Sequence, residues 1–273
     1  ALMRRQHLLL LAIALSAQTA PAALDPKFYP GADDSERLQA CLDVAVRTHE
    51  DVLLRGMTLP RGVTISVPGQ FAEGVRLVGD GVFSSVRFTG TGPAITTKEG
   101  KRVRLVDVGI IGPGADSGTT GLMFLSEKSS SSLYVQNCAI QGFGTAIAFR
   151  AAPGHSGADI SVVRVTDTTV TDCAYGVVPD GPNVLDIDCT NVKVSGRAVI
   201  IAFDYRTGGS NGRLTSCGGS QGREFIVVNG GYQFRADIGS VEDYGTFFRR
   251  GGDDAGGYGQ TSAMTVEARD VRT

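Results

Sequence analysis

Short runs of apolar residues, separated by Gly, Pro or short polar residues, recur along most of this chain. In the clearest unit, residues 133–140 form an apolar run with interspersed polar side chains, and a second run follows at residues 143–147. Such runs between turn residues predict short β-strands. The apolar residues that close successive units lie 22 to 30 residues apart, at Ile95, Leu122, Ile147, Val177, Val199, Ile226 and Phe248.

A repeat of this length, built from strand-length runs, is typical of a β-solenoid. Each coil supplies three short strands but cannot bury its inward-facing row alone, so the coils have to stack. The pattern therefore predicts an all-β chain that forms a right-handed parallel β-helix. We expect a three-sheet solenoid of about seven to eight coils.

A helix is predicted ahead of the first coil. Leu38, Leu42 and Ala45 have helical spacing, and Asp33 and Asp34 supply an acidic, capped start. This helix would cap the N-terminal end of the solenoid, where a sheet edge is otherwise exposed.

A tight turn also aligns through the repeats, and short polar side chains at it would hydrogen-bond from coil to coil as a ladder. The residues predicted at this turn are Asp107, Asn137, Asp167, Cys189, Ser216 and Ser240. The inward-facing row beside it is predicted to contain Cys138, Thr168, Thr190 and Cys217.

The N-terminus has the three parts of a secretory signal peptide. Arg4 and Arg5 precede a short apolar run at residues 8–15, and Ala20-Pro21-Ala22 offers a small-x-small cleavage site. The apolar run is too short to span a bilayer comfortably, and a buried helix is the structural alternative. We therefore expect a signal peptide at residues 1–22, one β-helix domain at 23–273, and a secreted or periplasmic location.

The far end of the chain resembles the start of another coil, at residues 265–271, with no capping element after it. We therefore expect a C-terminus that is truncated relative to the complete solenoid. An open sheet edge of this kind invites association, but the sequence predicts no particular oligomeric state.

Composition and cysteine spacing exclude several classes of protein. The formal net charge is −2, which does not suggest a polyanion such as nucleic acid as a partner. The five cysteines are widely spaced and contain no Cys-x-x-Cys motif, so neither a disulfide framework nor a zinc site is indicated. One bridge between neighbouring coils stays open, but buried packing of the thiols is the favoured interpretation.

Three segments carry a likeness to a known family. Residues 33–43 contain an acidic pair followed by a Leu-Gln-Ala helix, residues 59–65 read Leu-Pro-Arg-Gly-Val-Thr-Ile, and residues 77–81 form a Leu-x-Gly-x-Gly turn. This order resembles the opening of pectate-lyase-like β-helix domains, and with the repeats the likeness covers about residues 25–273.

The resemblance implies the fold and a polysaccharide partner. The family includes polysaccharide lyases, polygalacturonase-like hydrolases, sugar epimerases and phage tailspikes. This chain has no Trp and so lacks Trp-x-Asp-His, and Gly154-His155-Ser156-Gly157 is a poor match to the Gly-His-Gly of polygalacturonases. The Asp-Pro-His-Asp motif of alginate epimerases and the pectin methylesterase motifs are also absent. The resemblance therefore implies no particular activity, because function depends on the site.

Candidate chemistry lies in the segments that follow the strand closing each unit. Hydrolysis of a glycoside needs two carboxylates about 5–10 Å apart, and Asp180 and Asp204 on successive coils are the predicted pair. β-Elimination at a uronate instead needs Ca²⁺ or Arg to neutralise a carboxylate, together with a base. Asp204, Arg206, Arg249 and Arg250 could serve in that reaction.

The predicted catalytic residues are thus Asp180, Asp204 and Arg206. Aromatic faces cover sugar rings and Arg forks bind carboxylates. The predicted substrate-binding residues are Arg150, Tyr205, Tyr232, Arg249 and Arg250. The competing interpretation is that these are solvated loop residues with weak ion pairs. No metal site is predicted, and Ca²⁺ is expected only if the chain is a lyase.

Taken together, the sequence predicts a secreted carbohydrate-active β-helix protein whose partner is an acidic polysaccharide. The hypothesis covers binding and lyase- or hydrolase-type cleavage, with no nucleic acid partner and no membrane span. The alternative is a non-catalytic glycan-binding adhesin or a tailspike-like structural protein.

Overall fold

A computed structural model describes residues 23–67, 74–98, 102–126, 131–151, 160–229, 233–250 and 264–272. The predicted signal peptide at residues 1–22 lies outside them. Two short 3₁₀ turns, Pro26–Phe28 and Ala115–Ser117, accompany one α-helix, α1 (Asp34–Thr48). The strands are β1 (Val52–Leu54), β2 (Met57–Leu59), β3 (Val63–Ser66), β4 (Arg76–Phe88), β5 (Pro93–Lys98), β6 (Val103–Ile111), β7 (Thr120–Ser126), β8 (Ser131–Gln136), β9 (Ala139–Gln141), β10 (Thr145–Ala151), β11 (Ile160–Thr166), β12 (Thr169–Thr171), β13 (Tyr175–Thr190), β14 (Lys193–Tyr205), β15 (Thr207–Val228), β16 (Gln233–Arg250) and β17 (Met264–Arg272).

Every strand pair among the described residues is parallel, and each segment pairs with those one coil before and after it. The pairing forms three stacks of segments, which we call faces 1, 2 and 3. Face 1 contains residues 52–54, 76–78, 103–106, 131–136, 160–166, 184–190, 209–215, 233–237 and 264–267. Face 2 contains residues 57–59, 86–88, 109–111, 139–141, 169–171, 193–195, 219–220, 241–242 and 271–272. Face 3 contains residues 63–66, 93–98, 120–126, 145–151, 175–180, 199–205, 222–228 and 244–250.

Three stacked faces that follow one another along the chain make a right-handed parallel β-helix, as the repeat predicts. The inward rows of the faces meet in one apolar core. Aromatic rings pack there from coil to coil, with centroid distances of 6.3 Å for Phe124–Phe149 and 5.4 Å for Phe203–Phe225. Such pairs add about 0.5–1.5 kcal/mol each beyond the burial of their area.

Helix α1 caps the first coil, which confirms the prediction. Asp33 is its N-cap, accepting a hydrogen bond from the backbone N–H of Glu36 at 3.0 Å. Leu38, Leu42 and Ala45 are buried against the core. The helix also supplies polar side chains to the edge of the first coil, so that its backbone groups are hydrogen-bonded although no strand lies beyond them. One of these is Ser35, whose hydroxyl donates to the carbonyl of Arg61 at 2.7 Å.

The ladder at the turn between faces 1 and 2 is partly as predicted. Asp107, Asn137, Asp167 and Ser216 all have positive φ, a conformation that short polar side chains tolerate. The side-chain amide of Asn191 donates to the carboxylate of Asp167 at 2.8 Å, and Asn137 makes the same contact with Asp107.

Two residues predicted at this turn lie elsewhere. Cys189 is the register partner of Val165 and faces the core, and Asn191 occupies the turn in that coil. Ser240 follows Ile238, the register partner of Cys217, so it lies beyond the position equivalent to Ser216. The inward row is corrected in the same way.

In that row Val192, which is buried, takes the position predicted for Thr190. Thr190 instead pairs with Thr166 on face 1. All five cysteines are buried and free, as the packing interpretation expects. Among the described residues, no helix has both the length and the apolar character needed to cross a membrane.

Candidate functional site

The structure brings four of the predicted site residues together at the end of face 3. Arg150 and Asp180 are register partners on β10 and β13, and their side chains approach to 3.5 Å between Nε and Oδ2. Arg206 lies between the two acids, 2.6 Å from Asp204 and 3.9 Å from Asp180. We call Arg150, Asp180, Asp204 and Arg206 the face 3 cluster.

The two acids of the face 3 cluster have different surroundings. Asp204 is only 3% exposed, and its burial raises the pKa of its carboxyl, while the hydrogen bond from Arg206 acts in the opposite direction. Asp180 is partly exposed. The guanidinium of Arg206 also lies over the ring of Tyr175 at 5.0 Å. The cluster holds two acids and two cations, so its charges are largely neutralised internally.

The remaining predicted residues are not part of this cluster. Arg249 is bound by Glu224 through two hydrogen bonds of 2.8 and 2.9 Å. Arg250 is exposed and is the register partner of Val228. Tyr232 lies outside the described residues, as does His155.

The prediction that Tyr205 binds substrate at the surface is wrong. Its side chain is fully buried, and its ring packs edge-on against Phe234 at 5.1 Å. The reason is the alternation of a strand: β14 runs through Tyr205, so Phe203 and Tyr205 face the core and Asp204 faces outward.

A second charged surface lies on face 1, and the sequence analysis missed it. One outward-facing position in each of seven successive coils is in register along the solenoid axis. We call these seven residues the arginine stripe: Arg76, Arg104, Tyr134, Arg164, Asp188, Arg213 and Arg235. Equivalent positions in a parallel sheet lie about 4.8 Å apart, so the stripe is continuous.

Three arginines of the stripe have partners. Arg76 binds the carboxylate of Asp51. The guanidinium of Arg104 lies over the ring of Tyr134 at 5.2 Å, and Arg164 lies 3.7 Å from Asp188. In contrast, no hydrogen bond or ion pair joins Arg213 or Arg235 to another residue within the described parts of the chain, and both side chains are exposed.

The end of the stripe that contains these two arginines forms an open groove of about 460 Å³. The groove is built from three consecutive coils, each presenting two outward side chains two residues apart. We call these coil segments rungs: residues 186–188 (Asp-Ile-Asp), 211–213 (Asn-Gly-Arg) and 233–235 (Gln-Phe-Arg). The first is acidic, and the next two each combine an amide with a guanidinium.

Contacts within the groove tie the acidic rung to its neighbours. The amide of Asn211 donates to Asp186 Oδ1 at 2.7 Å. The Oδ1 atom of Asp188 is buried and accepts no hydrogen bond. Between the two rows, Gly212 leaves room for the core rings, because a Cβ there would lie 2.8 Å from Phe234 and 3.0 Å from Tyr205.

One signal in the sequence could have identified the groove. In each rung, two polar side chains flank one inward-facing position, and a buried residue follows two residues after it, at Cys189, Leu214 and Ala236. Aligning the coils on those buried residues places Asp188, Arg213 and Arg235 in one column. Among the described residues, no three His, Cys, Asp or Glu side chains are grouped so that they could hold a metal ion.

Comparison with known proteins agrees with the fold. The enzymatically active domain of tailspike protein 2 from bacteriophage CBA120 is similar over 92% of this chain and 47% of its own, with a TM-score of 0.50 and 14% identity. A tailspike protein of an Acinetobacter phage is similar over 85% of this chain and 54% of its own, with a TM-score of 0.45 and 11% identity. The chain therefore spans about half the length of these two proteins.

The catalytic unit of an α-1,3-glucanase from Streptomyces thermodiastaticus is similar over 94% of this chain and 70% of its own, with a TM-score of 0.32 and 13% identity. No family model and no curated protein matches the chain. At these identities the likeness concerns the fold, and the chain is a right-handed parallel β-helix protein.

Proposed function

We propose that this chain is a secreted, carbohydrate-active β-helix protein that binds an acidic polysaccharide along the arginine stripe. The observation that carries the proposal is the register of the stripe, which aligns five arginines and one tyrosine along the solenoid axis. An extended polyanion needs cationic groups that repeat along a line. Arg offers forked donors for carboxylates, and the Tyr134 ring offers a flat surface for the apolar face of a sugar.

The charge distribution favours a glycan over a generally anionic partner. The chain as a whole is nearly neutral, so the positive potential is local to face 1. Amide side chains at Asn211 and Gln233 accompany the arginines in the groove. Amides can donate to and accept from sugar hydroxyls, which a simple cationic strip would not do. The signal-peptide pattern at residues 1–22 supports secretion to a place where surface or extracellular glycans occur.

Binding is tested with purified full-length chain and a panel of glycans. Calorimetry at low and high salt should show affinity for oligogalacturonate or alginate oligomers and none for neutral maltohexaose. Removing the aromatic-supported cation in Arg104→Ala should weaken binding about tenfold, as expected for a charged hydrogen bond. The matched control is Arg87→Ala, an exposed arginine on face 2 that should leave binding unchanged. If the wild type binds no acidic glycan at low salt, the proposal is wrong.

A second candidate function is cleavage of the bound glycan at the face 3 cluster. The observation that favours it is the unequal environment of Asp180 and Asp204, because burial raises the pKa of Asp204 alone among the two acids. Pairs of carboxyl groups whose pKa values are pushed apart suit general acid and base roles. The alternative is a non-catalytic adhesin or tailspike-like protein with the same binding surface.

Cleavage is tested by incubating the chain with the same acidic glycans, with and without Ca²⁺. Unsaturated ends would indicate β-elimination, and reducing ends without unsaturation would indicate hydrolysis. Asp204→Asn should abolish either signal while the circular dichroism spectrum stays that of the wild type. Absence of both products from every glycan that binds would support the non-catalytic alternative, and unchanged turnover in Asp204→Asn would remove the face 3 cluster as the catalytic site.

A further inference from the structure

Arg213 and Arg235 differ from the rest of the arginine stripe in having no counter-charge. They are direct register partners on β15 and β16, so their backbones lie about 4.8 Å apart. Like charges opposite each other in a sheet are unfavourable. Neither side chain has an ion-pair partner in the described part of the chain, whereas Arg164 in the same groove lies against Asp188. The pair therefore presents two cationic groups that an anionic ligand can neutralise.

An amide accompanies each of these arginines. Asn211 and Gln233 are register partners, each two residues before its arginine and on the same side of face 1. Two residues of a strand span about 6–7 Å, so amide and guanidinium can contact one sugar across its width. Each of the two rungs 211–213 and 233–235 therefore offers a guanidinium for an acidic substituent and an amide for a hydroxyl.

The rung before them has the opposite charge at the same two positions. Asp186 and Asp188 are in register with Asn211 and Arg213. The buried Oδ1 atom of Asp188 has no hydrogen-bond donor, so this rung can accept hydrogen bonds from hydroxyls. A carboxylate placed over it would meet two like charges.

We infer that rungs 211–213 and 233–235 bind acidic groups on two consecutive sugars of the glycan, and that rung 186–188 selects an uncharged sugar at the next position. The inference rests on the proposed function, in which the glycan runs along the stripe. It adds that the protein distinguishes the order of charged sugars as well as their number. One coil advances about 4.8 Å, close to the length of one sugar unit, so successive rungs contact successive sugars.

Three hexasaccharides separate this arrangement from simple charge attraction. Oligogalacturonate has acidic groups on consecutive sugars, a hyaluronan hexamer alternates acidic and uncharged sugars, and maltohexaose is uncharged. Calorimetry with the full chain should give tighter binding to oligogalacturonate than to the hyaluronan hexamer at equal salt. Arg213→Ala and Arg235→Ala should each weaken oligogalacturonate binding about tenfold to a hundredfold.

The same variants should bind the alternating hexamer almost as well as the wild type. An alternating chain places an acidic sugar on only one of the two rungs, and it can shift by one coil to use the arginine that remains. Asp188→Asn should tighten binding of oligogalacturonate, because it removes the repulsion of a third acidic group. Arg87→Ala is the matched control, and circular dichroism checks that every variant keeps the fold.

The outcomes separate the inference from the proposed function. If the wild type binds neither acidic hexamer, both are wrong. If Arg104→Ala weakens binding but Arg213→Ala and Arg235→Ala do not, the stripe binds glycan and the inference about the rungs is overturned. Equal losses on the consecutive and alternating hexamers would also overturn it, because the two arginines would then respond to net charge alone.

Discussion

The side chain of Gln39 forms the two hydrogen bonds that a neighbouring strand would otherwise make with Thr64. Its Nε2 donates to the carbonyl of Thr64 at 2.8 Å, and its Oε1 accepts from the backbone N–H of Thr64 at 2.8 Å. Helix α1 thereby completes the ladder of β3 without being a strand. An edge strand satisfied in this way is no longer a template for pairing with another chain.

Replacing Gln39 should destabilise the first coil. Gln39→Leu leaves a backbone donor and an acceptor without partners, and we expect the free energy of unfolding to fall by about 1–3 kcal/mol. Gln39→Glu should cost nearly as much, because its carboxylate can accept from the N–H but repels the carbonyl. Urea unfolding followed by circular dichroism measures the change. Gln141→Leu, at an exposed strand end, is the control, and an equal loss in that variant would contradict the capping role.

The fold could be predicted from the sequence because burial repeats. The inward rows are apolar in every coil, so the closing residues from Ile95 to Phe248 mark the strands of face 3 whatever lies between them. The N-terminal helix was predictable for a similar reason, since Leu38 and Leu42 show its buried side and Asp33 shows its start.

The register of individual coils was harder to predict because coil length varies. Arg213 and Arg235 are 22 residues apart, whereas Arg104 and Tyr134 are 30 apart. A fixed offset from the preceding coil therefore placed Cys189 at a turn that Asn191 occupies. Only backbone pairing removes this ambiguity.

The candidate sites show the same limit. The face 3 cluster was predicted because its acids follow the closing strands, although Tyr205 was placed outside by treating the end of β14 as a loop. The arginine stripe was missed because outward positions carry no hydrophobic pattern, and its residue type changes from Arg to Tyr to Asp along the column.

The turn at Asn191 should depend on backbone conformation as well as on its hydrogen bond. Asn191 has φ of 52° and donates to Asp167 at 2.8 Å. Asn191→Gly removes the hydrogen bond but tolerates positive φ, whereas Asn191→Ala loses both. We expect the alanine variant to be about 1 kcal/mol less stable than the glycine variant. Equal stability of the two variants in urea unfolding would show that the left-handed conformation costs nothing at this turn.

The buried carboxyl of Asp204 should make stability depend on pH. Burial raises its pKa above the unfolded value of about 3.9, so ionisation opposes folding. Its stabilising contribution is present below that pH and is lost as the pH rises through the raised pKa. The free energy of unfolding of the wild type, measured relative to Asp204→Asn, should therefore fall between about pH 3.5 and pH 7.

Asp33→Asn provides the comparison of opposite sign. The backbone hydrogen bond from Glu36 and the nearby Arg61 lower the pKa of Asp33, so its contribution is present above the unfolded pKa and is lost as the pH falls. The wild type should gain on this variant as the pH rises. Parallel pH profiles for the two variants would contradict the assignment of opposite environments.

The repulsion between Arg213 and Arg235 should be measurable as a cost to folding in the absence of ligand. Replacing one member, as in Arg235→Thr, removes a like charge from directly opposite and introduces a residue that favours strands. We expect the free energy of unfolding to rise by about 0.2–1 kcal/mol at low salt and the gain to shrink at high salt. The matched variant Arg164→Thr removes an arginine that faces Asp188 and should give no such salt-sensitive gain. If both variants changed stability equally, the two unpaired arginines would not be a strained pair, and the argument that folding stability is given up at this position for binding would fail.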